Sequence, residues 1–346
     1  MTVHTLEDER LTAKADDSTG NIIEAKGIKT YFPIRGGVFR RTIGHVKAVD
    51  NVDIFIKKGE TLGIVGESGS GKTTFGRTLL RLLTPTDGQI VFNGHDITYL
   101  SKSEMRKHRR HMQMVFQDPY ASLNQRMRIG ELIEEPMYTH NMYKKSERKE
   151  RVKYLLETVG LPMEATRKFP HEFSGGQRQR IGIARSLAIN PQLVIADEPV
   201  SALDVSVQSQ VLNLMSDLQE EFNLTYLFIA HDLSVVKHIS DRIGVMYLGK
   251  MMELSPKKDL YVNPLHPYTK ALLSSIPKPN PKAKKERIVL KGDIPNPSNP
   301  PSGCVFRTRC PEAYKRCKEV VPAFVEVERD HFVACHLYHK SEEKVK

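Results

Sequence analysis

The sequence lacks a long apolar run, and no stretch approaches the ~20 apolar residues that a helix needs to span a bilayer. Its first stretch, MTVHTLEDERLTAKADD, lacks the basic start and apolar centre of a secretion signal. We therefore expect a cytosolic chain whose cysteines are not in disulfides, because the cytosol is reducing. We also expect residues 1–20, which are polar and partly acidic, to be disordered.

Charge of one sign is in excess, since 52 Lys and Arg residues against 41 Asp and Glu residues give a net charge of +11. A solvated basic surface explains such an excess. Contact with nucleic acid or with an anionic membrane face is the functional alternative, and charge alone does not choose between them. The 346 residues, 39% of them hydrophobic, suffice for one large domain or two modest ones with a proper core.

Predicted strands alternate with predicted helices along the chain. Residues 22–65 are rich in strand formers and end in the buried strand TLGIVG, which the helix KTTFGRTLLRLL follows. The runs QLVIADEP and TYLFIAHD predict two more buried strands around an amphipathic helix, RIGVMYLGKMMEL predicts a β-hairpin, and residues 130–160 are expected to be helical. This alternation predicts an α/β fold with a mainly parallel sheet and helices on both faces.

The glycine-rich stretch GESGSGKTT fits the pattern GxxxxGK[ST] of a P-loop and lies between a predicted strand and a predicted helix. Its glycines let backbone N–H groups turn towards phosphates, and the helix N-terminus adds positive potential. Lys72 should reach the β- and γ-phosphates of ATP, and Thr73 should bind Mg²⁺. The residues predicted here to bind ATP are Gly66, Glu67, Ser68, Gly69, Ser70, Gly71, Lys72, Thr73 and Thr74.

Polar side chains end three further predicted strands, at the edge where α/β sheets bind ligands. Asp197 and Glu198 follow LVIA, His231 follows TYLFIA, and Gln117 follows MVF. We expect Asp197 to join the Mg²⁺ shell and Glu198 to polarise the attacking water. We expect His231 beside the γ-phosphate and Gln117 at the Mg²⁺ or the water. Glu198, His231 and Gln117 are therefore the predicted catalytic residues.

The stretch FSGGQRQR predicts a second helix start that is suited to an anion. Ser174 and Gln177 have capping-box spacing, and Gly175 and Gly176 leave backbone N–H groups open to close approach. An ordinary capped helix is the simpler interpretation. Against it, glycine costs roughly 1 kcal/mol relative to alanine in a helix interior, and less at a terminus.

All the cysteines fall in one segment, separated by five, six and seventeen residues. This spacing lacks the paired CxxC of common zinc ribbons. Four thiols in a cytosolic chain suit a Zn²⁺ ion, an iron–sulfur cluster or a small core of reduced thiols, and all three interpretations stay open. The candidate metal ligands are Cys304, Cys310, Cys317 and Cys335. The nearby His331 and His336 are expected to be structural.

The motifs GESGSGKTT, FQDP, FSGGQRQRIGIARSLA, VIADEPVSALD and IAHD have the order and spacing of ABC-transporter ATPases, which the chain resembles over about 22–260. The resemblance implies that two cassettes pack head to tail, with each ATP between the P-loop of one and the SGGQ turn of the other. Ser174, Gly175, Gly176 and Gln177 would then act on the partner's nucleotide. The resemblance also assigns Asp204 to cross-talk between the sites and Tyr31 to stacking on adenine.

A closer resemblance is carried by YASLNQRM, NPLHPYTKALLSSIP, GDIPNPSNPPSGCVFRTRCP and ACHL. These are similar to the oligopeptide/dipeptide importer ATPases, and most like the F-type subunit of their paired ATPases. The resemblance implies a P-loop NTPase with a RecA-like core, an antiparallel β subdomain and a helical subdomain. We expect the ATPase domain over 21–263 and the helical subdomain at about 117–185, with a permease-docking groove at 117–135.

Composition changes near residue 277, where PKPNPKAKKER and PNPSNPPSG predict extended, Pro-rich chain. We therefore predict a small appendage, the C-terminal extension, at 264–346. The resemblance makes it the oligopeptide-transporter type and favours a [4Fe–4S] cluster over Zn²⁺ at its cysteines. Little apolar content makes a metal staple physically reasonable there.

The function that the resemblance implies is ATP hydrolysis that energises import of oligopeptides or dipeptides. It implies as partners a sibling ATPase in a heterodimer, two transmembrane permease subunits and an extracellular or periplasmic peptide-binding protein, and it places the chain on the cytoplasmic face of a bacterial membrane. A soluble ABC ATPase acting on nucleic acid is the alternative, but only about a hundred residues, without a heptad run, separate the P-loop from SGGQ. A scaffold that binds ATP without turnover is disfavoured by the intact catalytic set.

Overall fold

The computed structural model describes residues 20–37, 39–276 and 287–338. The chain divides into two compact units. The first unit comprises Met1–Ile22, Ile56–Thr61 and Tyr99–Ala230, and the second comprises Ile23–Phe55, Leu62–Thr98 and His231–Lys346. Apart from Gly20, the N-terminus predicted to be disordered lies outside the described residues, as does all but the last residue of PKPNPKAKKER.

The strands in chain order are β1 (Asn21–Gly36), β2 (Arg41–Lys57), β3 (Thr61–Val65), β4 (Asp87–Phe92), β5 (His95–Asp96), β6 (Met112–Val115), β7 (Leu193–Asp197), β8 (Thr225–Ala230), β9 (Arg242–Tyr247), β10 (Lys250–Pro256), β11 (Val325–Glu328) and β12 (His331–Val333). The helices are α1 (Lys72–Leu79), α2 (Lys102–Arg109), α3 (Pro119–Ser122), α4 (Ile129–Thr139), α5 (Lys145–Thr158), α6 (Gly175–Leu187), α7 (Val205–Phe222), α8 (Leu233–Ile239), α9 (Lys257–Val262), α10 (Pro267–Ser275) and α11 (Lys315–Glu319). Two short 3₁₀ turns, Met163–Arg167 and Pro170–Glu172, precede α6.

In the first unit, β6, β7 and β8 pair in parallel, with Met114 opposite Ile195 and Ile195 opposite Leu227. Every residue of β7 and β8 is buried, which explains why both strands are almost continuous apolar runs. The segments between these strands carry helices, as parallel connections require. The predicted α/β class is therefore confirmed.

The predicted helical stretch 130–160 is two helices rather than one. Helix α4 ends at Thr139 and α5 begins at Lys145. Between them Asn141 and Tyr143 have φ of +53° and +60°, a left-handed conformation that a helix cannot contain. The apolar side chains at helical spacing in and just after α5 are all buried: Val152, Leu155, Leu156 and Val159. Along the described parts of the chain, no helix combines the length and the apolar character needed to cross a membrane.

The second unit contains an antiparallel sheet of order β2-β1-β4-β5, in which Ile23 lies opposite Phe92 and Ala25 opposite Ile90. This sheet confirms the antiparallel β part of the predicted fold. The unit also contains the strand order β11-β12-β10-β9-β3. There β3 and β9 are parallel and β9 and β10 form the predicted hairpin. Strand β12 pairs antiparallel with β10, and β11 pairs antiparallel with β12, so two strands of the C-terminal extension extend this sheet.

Helix α1 is shorter than KTTFGRTLLRLL predicts, since it ends at Leu79. Phe75 and Leu79, four residues apart, are completely buried and form the inward face of this helix. Just beyond, Arg81 has φ of +53° and donates from Nε to the carbonyl oxygen of Ile97 at 2.9 Å. Arg81, which the sequence predicts to be helical, is thus held by a residue 16 positions further along the chain.

Candidate functional site

The P-loop runs from the end of β3 to the start of α1, in the second unit. At Gly71, where φ is +100°, a Cβ atom would lie 2.1 Å from the carbonyl oxygen of Ala48. At Gly66 a Cβ atom would lie 2.1 Å from the carbonyl oxygen of Met246. Only glycine fits where backbone approaches backbone this closely, so these glycines fix the loop against its surroundings.

Lys72, the first residue of α1, is folded back into the loop. Its Nζ donates to the carbonyl oxygens of Gly66 at 2.8 Å and Glu67 at 3.2 Å, and its side chain is almost fully buried. The residue before it, Gly71, supplies no side-chain cap to α1. The loop therefore places an ammonium group beside a helix N-terminus without a side-chain cap, which is an arrangement suited to phosphate.

Tyr31 lies on β1 in a network of fixed charges. Its hydroxyl donates to Oδ1 of Asp50 at 2.5 Å, and Nζ of Lys250 lies 2.9 Å from Oδ2 of the same carboxylate. Partial burial opposes ionisation of Asp50, but the hydrogen bonds from Lys250 and Tyr31 hold its pKa below its ordinary value. Nζ of Lys47 lies 5.8 Å from the centre of the Tyr31 ring. The network fixes the ring that the family resemblance assigns to adenine, an assignment that stays a prediction.

In the first unit, Gln117 and Glu198 meet. Nε2 of Gln117 donates to Oε2 of Glu198 at 2.9 Å. Glu198 follows β7 with φ of +46°, an uncommon conformation for this residue, and its N–H donates to the carbonyl oxygen of Ile229 at 2.9 Å. Its neighbour Asp197 is completely buried. Two of the three residues predicted to be catalytic are thus hydrogen-bonded to each other. The third, His231, is exposed directly after β8.

The SGGQ turn begins helix α6 with the predicted capping box. Ser174 accepts a hydrogen bond at Oγ from the N–H of Gln177 at 3.3 Å and donates its own N–H to Oε1 of Gln177 at 3.0 Å. A Cβ atom at Gly176 would lie 2.4 Å from Cγ1 of Val207, so the turn packs closely on the start of α7. Asp204 caps α7 by accepting from the N–H of Val207 at 3.0 Å, and this bond lowers its pKa.

The four cysteines are free thiols in the C-terminal extension. Cys304 and Cys317 are buried, and the N–H of Cys304 donates to the carbonyl oxygen of Cys317 at 2.8 Å. Burial, with a smaller contribution from neighbouring thiolates, raises the pKa of Cys310 to about 12 and that of Cys335 to about 11. Within the described ranges, no three or more Cys, His, Asp or Glu residues are grouped to hold a metal ion. The predicted iron–sulfur or zinc site is therefore not supported.

The two histidines near the cysteines have structural partners, as the sequence predicts. Nε2 of His331 lies 2.8 Å from Oε1 of the buried Glu253. Nε2 of His336 lies 2.9 Å from the carbonyl oxygen of Val320.

Two residues that sequence reasoning did not select contact the P-loop. Arg309 pairs with the carboxylate of Glu67 at 2.6 Å and 3.0 Å, and the N–H of Glu67 donates to the hydroxyl of Tyr268 at 2.9 Å. Arg309 and Tyr268 lie 242 and 201 residues from Glu67 along the chain. No local pattern reports contacts over such distances, although both residues fall inside the segments that carry the closer family resemblance.

Comparison with known protein families finds two matches. The profile described as "ABC transporter" matches residues 49–201, and the profile described as "Oligopeptide/dipeptide transporter, C-terminal region" matches residues 252–317. The chain is 64% identical to the Oligopeptide transport ATP-binding protein AppF of Bacillus subtilis, over 92% of this chain and 97% of that protein. It is 54% identical to a putative peptide import ATP-binding protein of Brucella abortus, over 91% and 97% of the two chains.

Solved structures of ATP-binding cassettes are also similar. The dimeric cassette MJ0796, in a post-hydrolysis state bound to ADP and Pi, is 28% identical and has a TM-score of 0.61 over 68% of this chain and 98% of its own. Clostridium perfringens cbiO1, part of the ABC transporter complex cbiONQ, is 26% identical with the same TM-score, over 70% and 92% of the chains. These likenesses cover the predicted cassette fold, and none of these relatives supports the nucleic-acid alternative.

Proposed function

Because the chain belongs to the ABC transporter family of ATP-binding proteins, we propose that it hydrolyses ATP to energise import of oligopeptides or dipeptides through a membrane permease. The relatives over nearly its whole length are named for oligopeptide transport or peptide import. The match of residues 252–317 to the oligopeptide/dipeptide transporter C-terminal region supports the same substrate class.

The observation that carries the ATPase proposal is the hydrogen bond between Gln117 and Glu198. It holds a carboxylate at the C-terminal end of a buried parallel strand, where α/β proteins place catalytic groups. Glu198 would accept a proton from the water that attacks the γ-phosphate, and Gln117 would hold that carboxylate in position. His231 is proposed to contact the γ-phosphate and to help orient that water.

The P-loop supplies the phosphate-binding part of the proposal. The ammonium group of Lys72 would exchange its present carbonyl partners for the β- and γ-phosphate oxygens, while the N–H groups of the loop and of α1 bind the same phosphates. We propose that residues 66–74 bind ATP in this way and that Tyr31 stacks on its adenine.

Magnesium fits the chemistry of the proposed donors. When bound, Mg²⁺ neutralises charge on the β- and γ-phosphates. We propose the hydroxyl of Thr73, the carboxylate of Asp197 and the amide oxygen of Gln117 as its protein contacts, since Mg²⁺ prefers oxygen ligands. Gln117 already directs its amide nitrogen to Glu198, so its oxygen is the atom suited to the metal.

We propose that the SGGQ turn serves a second cassette. Its helix is capped by its own side chains, and the nearest contact of a Cβ atom at Gly175 with the described residues beyond its own turn would be Leu203, at 3.5 Å. An anion from another subunit could therefore approach the first turn of α6. The residues that would act on the partner's nucleotide are Ser174, Gly175, Gly176 and Gln177, with Asp204 carrying cross-talk between the sites.

The partners and domains follow from the same proposal. Membrane permease subunits and a substrate-binding protein are implied by a peptide-import ATPase. The finer proposals are two permease subunits, a heterodimer with a sibling ATPase, and a peripheral position on the cytoplasmic face of the membrane. We also propose an ATPase domain over 21–263, with a helical subdomain at about 117–185 and a permease groove at 117–135, and the C-terminal extension over 264–346.

For the four cysteines we keep a [4Fe–4S] cluster or a Zn²⁺ ion as a proposal. In its support, the thiols are electrostatic neighbours, since Cys304, Cys317 and Cys335 all act to raise the pKa of Cys310. In the metal-free chain burial raises the pKa of Cys304, Cys310 and Cys335, which is the protonated state expected for a core of reduced thiols. Iron and zinc analysis of anaerobically purified protein, with its absorbance near 400 nm, separates the three outcomes.

The test of the function uses the complex assembled with its permease in vesicles. We expect ATP-dependent uptake of a labelled oligopeptide, and loss of both uptake and phosphate release in Glu198→Gln. ATP binding should persist in this variant, because the P-loop is unchanged. Hydrolysis at the wild-type rate in Glu198→Gln would show that Glu198 does not have the proposed role. Hydrolysis without any peptide uptake would support the proposed ATPase activity but contradict the proposal that oligopeptides are the transported substrate.

A further inference from the structure

We infer that the C-terminal extension positions the P-loop, with Arg309 and Tyr268 holding Glu67 and thereby the conformation that receives the phosphates. Both residues contact Glu67 in the structure, and all three lie in the second unit. The inference rests on the proposed function, because it takes the P-loop as the ATP site. It makes Arg309 and Tyr268 positioning residues, since neither is proposed to touch the nucleotide.

The ion pair between Arg309 and Glu67 is built for orientation. Nη1 of Arg309 lies 2.6 Å from Oε2 of Glu67, and Nη2 lies 3.0 Å from Oε1. Two parallel bonds between a planar guanidinium and a carboxylate fix direction as well as distance. Only 9% of the Arg309 side chain and 28% of the Glu67 side chain are exposed. Water therefore screens the pair less than it screens an ion pair on the surface.

The backbone of Glu67 is held as well as its side chain. Its N–H donates to the hydroxyl of Tyr268 at 2.9 Å, and its carbonyl oxygen accepts from Nζ of Lys72 at 3.2 Å. Tyr268 is itself fixed, because its ring is completely buried between two other aromatic rings. The centre of its ring lies 4.9 Å from the ring centre of Tyr247 and 5.2 Å from that of Phe306. A movement of Glu67 would thus displace a hydrogen-bond partner of Lys72, the residue proposed to bind the β- and γ-phosphates.

The segment that carries Arg309 is anchored in the same aromatic cluster. Phe306 is completely buried, and its carbonyl oxygen accepts from the N–H of Arg309 at 3.0 Å. The N–H of Arg307 donates to the carbonyl oxygen of Cys304 at 3.1 Å, which closes the turn on its other side. This short turn therefore presents a rigidly mounted guanidinium to the P-loop.

Arg307 provides a matched control. It lies on the same turn, but its Nε donates to the carbonyl oxygen of Ser302 at 2.8 Å, so its contact stays within the C-terminal extension. Arg309→Gln removes the ion pair and leaves a carboxylate next to the phosphate site, whereas Arg307→Gln disturbs only the extension. Arg309→Lys keeps the charge but loses the two-pronged geometry.

The experiment titrates the full-length chain with a fluorescent ATP analogue in the presence of Mg²⁺. We expect Arg309→Gln to raise the Kd roughly tenfold, Arg309→Lys to lie between it and the wild type, and Arg307→Gln to match the wild type. In the assembled complex, Arg309→Gln should raise the KM for ATP while kcat changes by less than about twofold, since only the binding step is weakened. A structural defect of the extension would instead affect the Arg307 and Arg309 variants alike.

A double-mutant cycle with Glu67→Gln tests whether the two side chains act through each other. We expect the Arg309→Gln effect to shrink strongly when Glu67→Gln is already present. Unchanged ATP affinity in a folded Arg309→Gln, or additive effects in the cycle, would overturn the inference. If Arg309→Gln does not fold, the same double-mutant cycle is measured with Arg309→Lys in its place. The inference then predicts that the effect of Arg309→Lys on ATP affinity shrinks when Glu67→Gln is present. A wild-type chain that binds no ATP would instead overturn the proposed function, and the positioning role with it.

Discussion

Gln117 donates a hydrogen bond from Nε2 to Oε2 of Glu198 at 2.9 Å across 81 residues of sequence. The carboxylate is thus held by a side-chain donor, while its own backbone adopts a left-handed conformation with φ of +46°. Such a conformation costs on the order of 1–3 kcal/mol for a residue other than glycine and concentrates at functional sites. Gln117 and Glu198 therefore form one unit, in which the amide orients the carboxylate.

The first prediction concerns Gln117→Glu, which places a second carboxylate beside Glu198. Two neighbouring carboxylates cannot both ionise easily, so one proton is retained to a higher pH. We expect ATP hydrolysis near pH 7 to fall roughly tenfold and to recover partly as the pH rises, whereas Gln117→Ala should lose a similar amount at every pH. Phosphate release by the assembled complex from pH 6 to pH 9 measures both. If the two variants had parallel pH profiles, the side chain at position 117 would not interact with the Glu198 carboxylate as proposed.

How much the sequence predicts depends on the distance over which a contact acts. The capping box of Ser174 and Gln177 is local, so its spacing predicts it correctly. The early end of α1 is not predictable from its own segment, because Arg81 is held by Ile97. The ion pair of Arg309 and Glu67 is harder still to predict from the sequence, because it depends on how the C-terminal extension folds back on the P-loop.

The second prediction concerns the ring of Tyr31. If it stacks on adenine, Tyr31→Ala should weaken ATP binding roughly 5- to 150-fold, the range expected for the loss of a base–aromatic contact worth about 1–3 kcal/mol. Tyr31→Phe keeps the ring and loses only the hydrogen bond to Asp50, so we expect a much smaller change. Inorganic tripolyphosphate has no base, and its affinity should not respond to Tyr31→Ala. An equal loss of affinity for tripolyphosphate would point to a disturbed P-loop and against stacking.

The third prediction tests whether the SGGQ turn acts in the partner's site. Gly175→Ala should leave ATP binding by the isolated chain unchanged, because among the described residues outside its own turn the new Cβ would come closest to Leu203 Cδ2, at 3.5 Å, an ordinary van der Waals contact. Turnover in the assembled complex should fall at least tenfold, because backbone N–H groups at the turn must approach a phosphate closely. Isothermal titration and phosphate release measure the two effects.

Gly182→Ala is the control for this experiment, since it lies in the same helix and its Cβ would meet no described residue outside that helix within 4 Å. We expect it to bind and hydrolyse ATP like the wild type, with stability raised by about 0.5–1 kcal/mol. If the isolated Gly175→Ala chain loses ATP affinity, the turn serves its own chain's nucleotide and the in-trans assignment is wrong.

The last prediction is a pH dependence of stability that arises at His266. Burial lowers the pKa of His266 from its ordinary 6.5 to about 4, with Lys270 acting in the same direction and Glu253 against it. Its Nδ1 accepts from the N–H of Tyr268 at 3.0 Å, so the folded state needs the neutral ring. Below pH 6.5 His266 becomes protonated in the unfolded chain but stays neutral in the folded chain until the pH approaches 4. The free energy of unfolding should therefore fall as the pH drops from 6.5 towards 4, by up to about 3 kcal/mol.

His266→Asn isolates this contribution, because asparagine can still accept at the helix start but does not titrate. The variant should be less stable than the wild type near pH 7.5, and its free energy of unfolding should fall less steeply between pH 6.5 and 4.5. Urea unfolding at four pH values measures both slopes. His140, whose pKa burial also lowers, is present in both proteins and cancels in the difference. Equal slopes would mean that His266 takes up its proton in the folded state, and that its burial does not control the acid sensitivity of the segment carrying Tyr268.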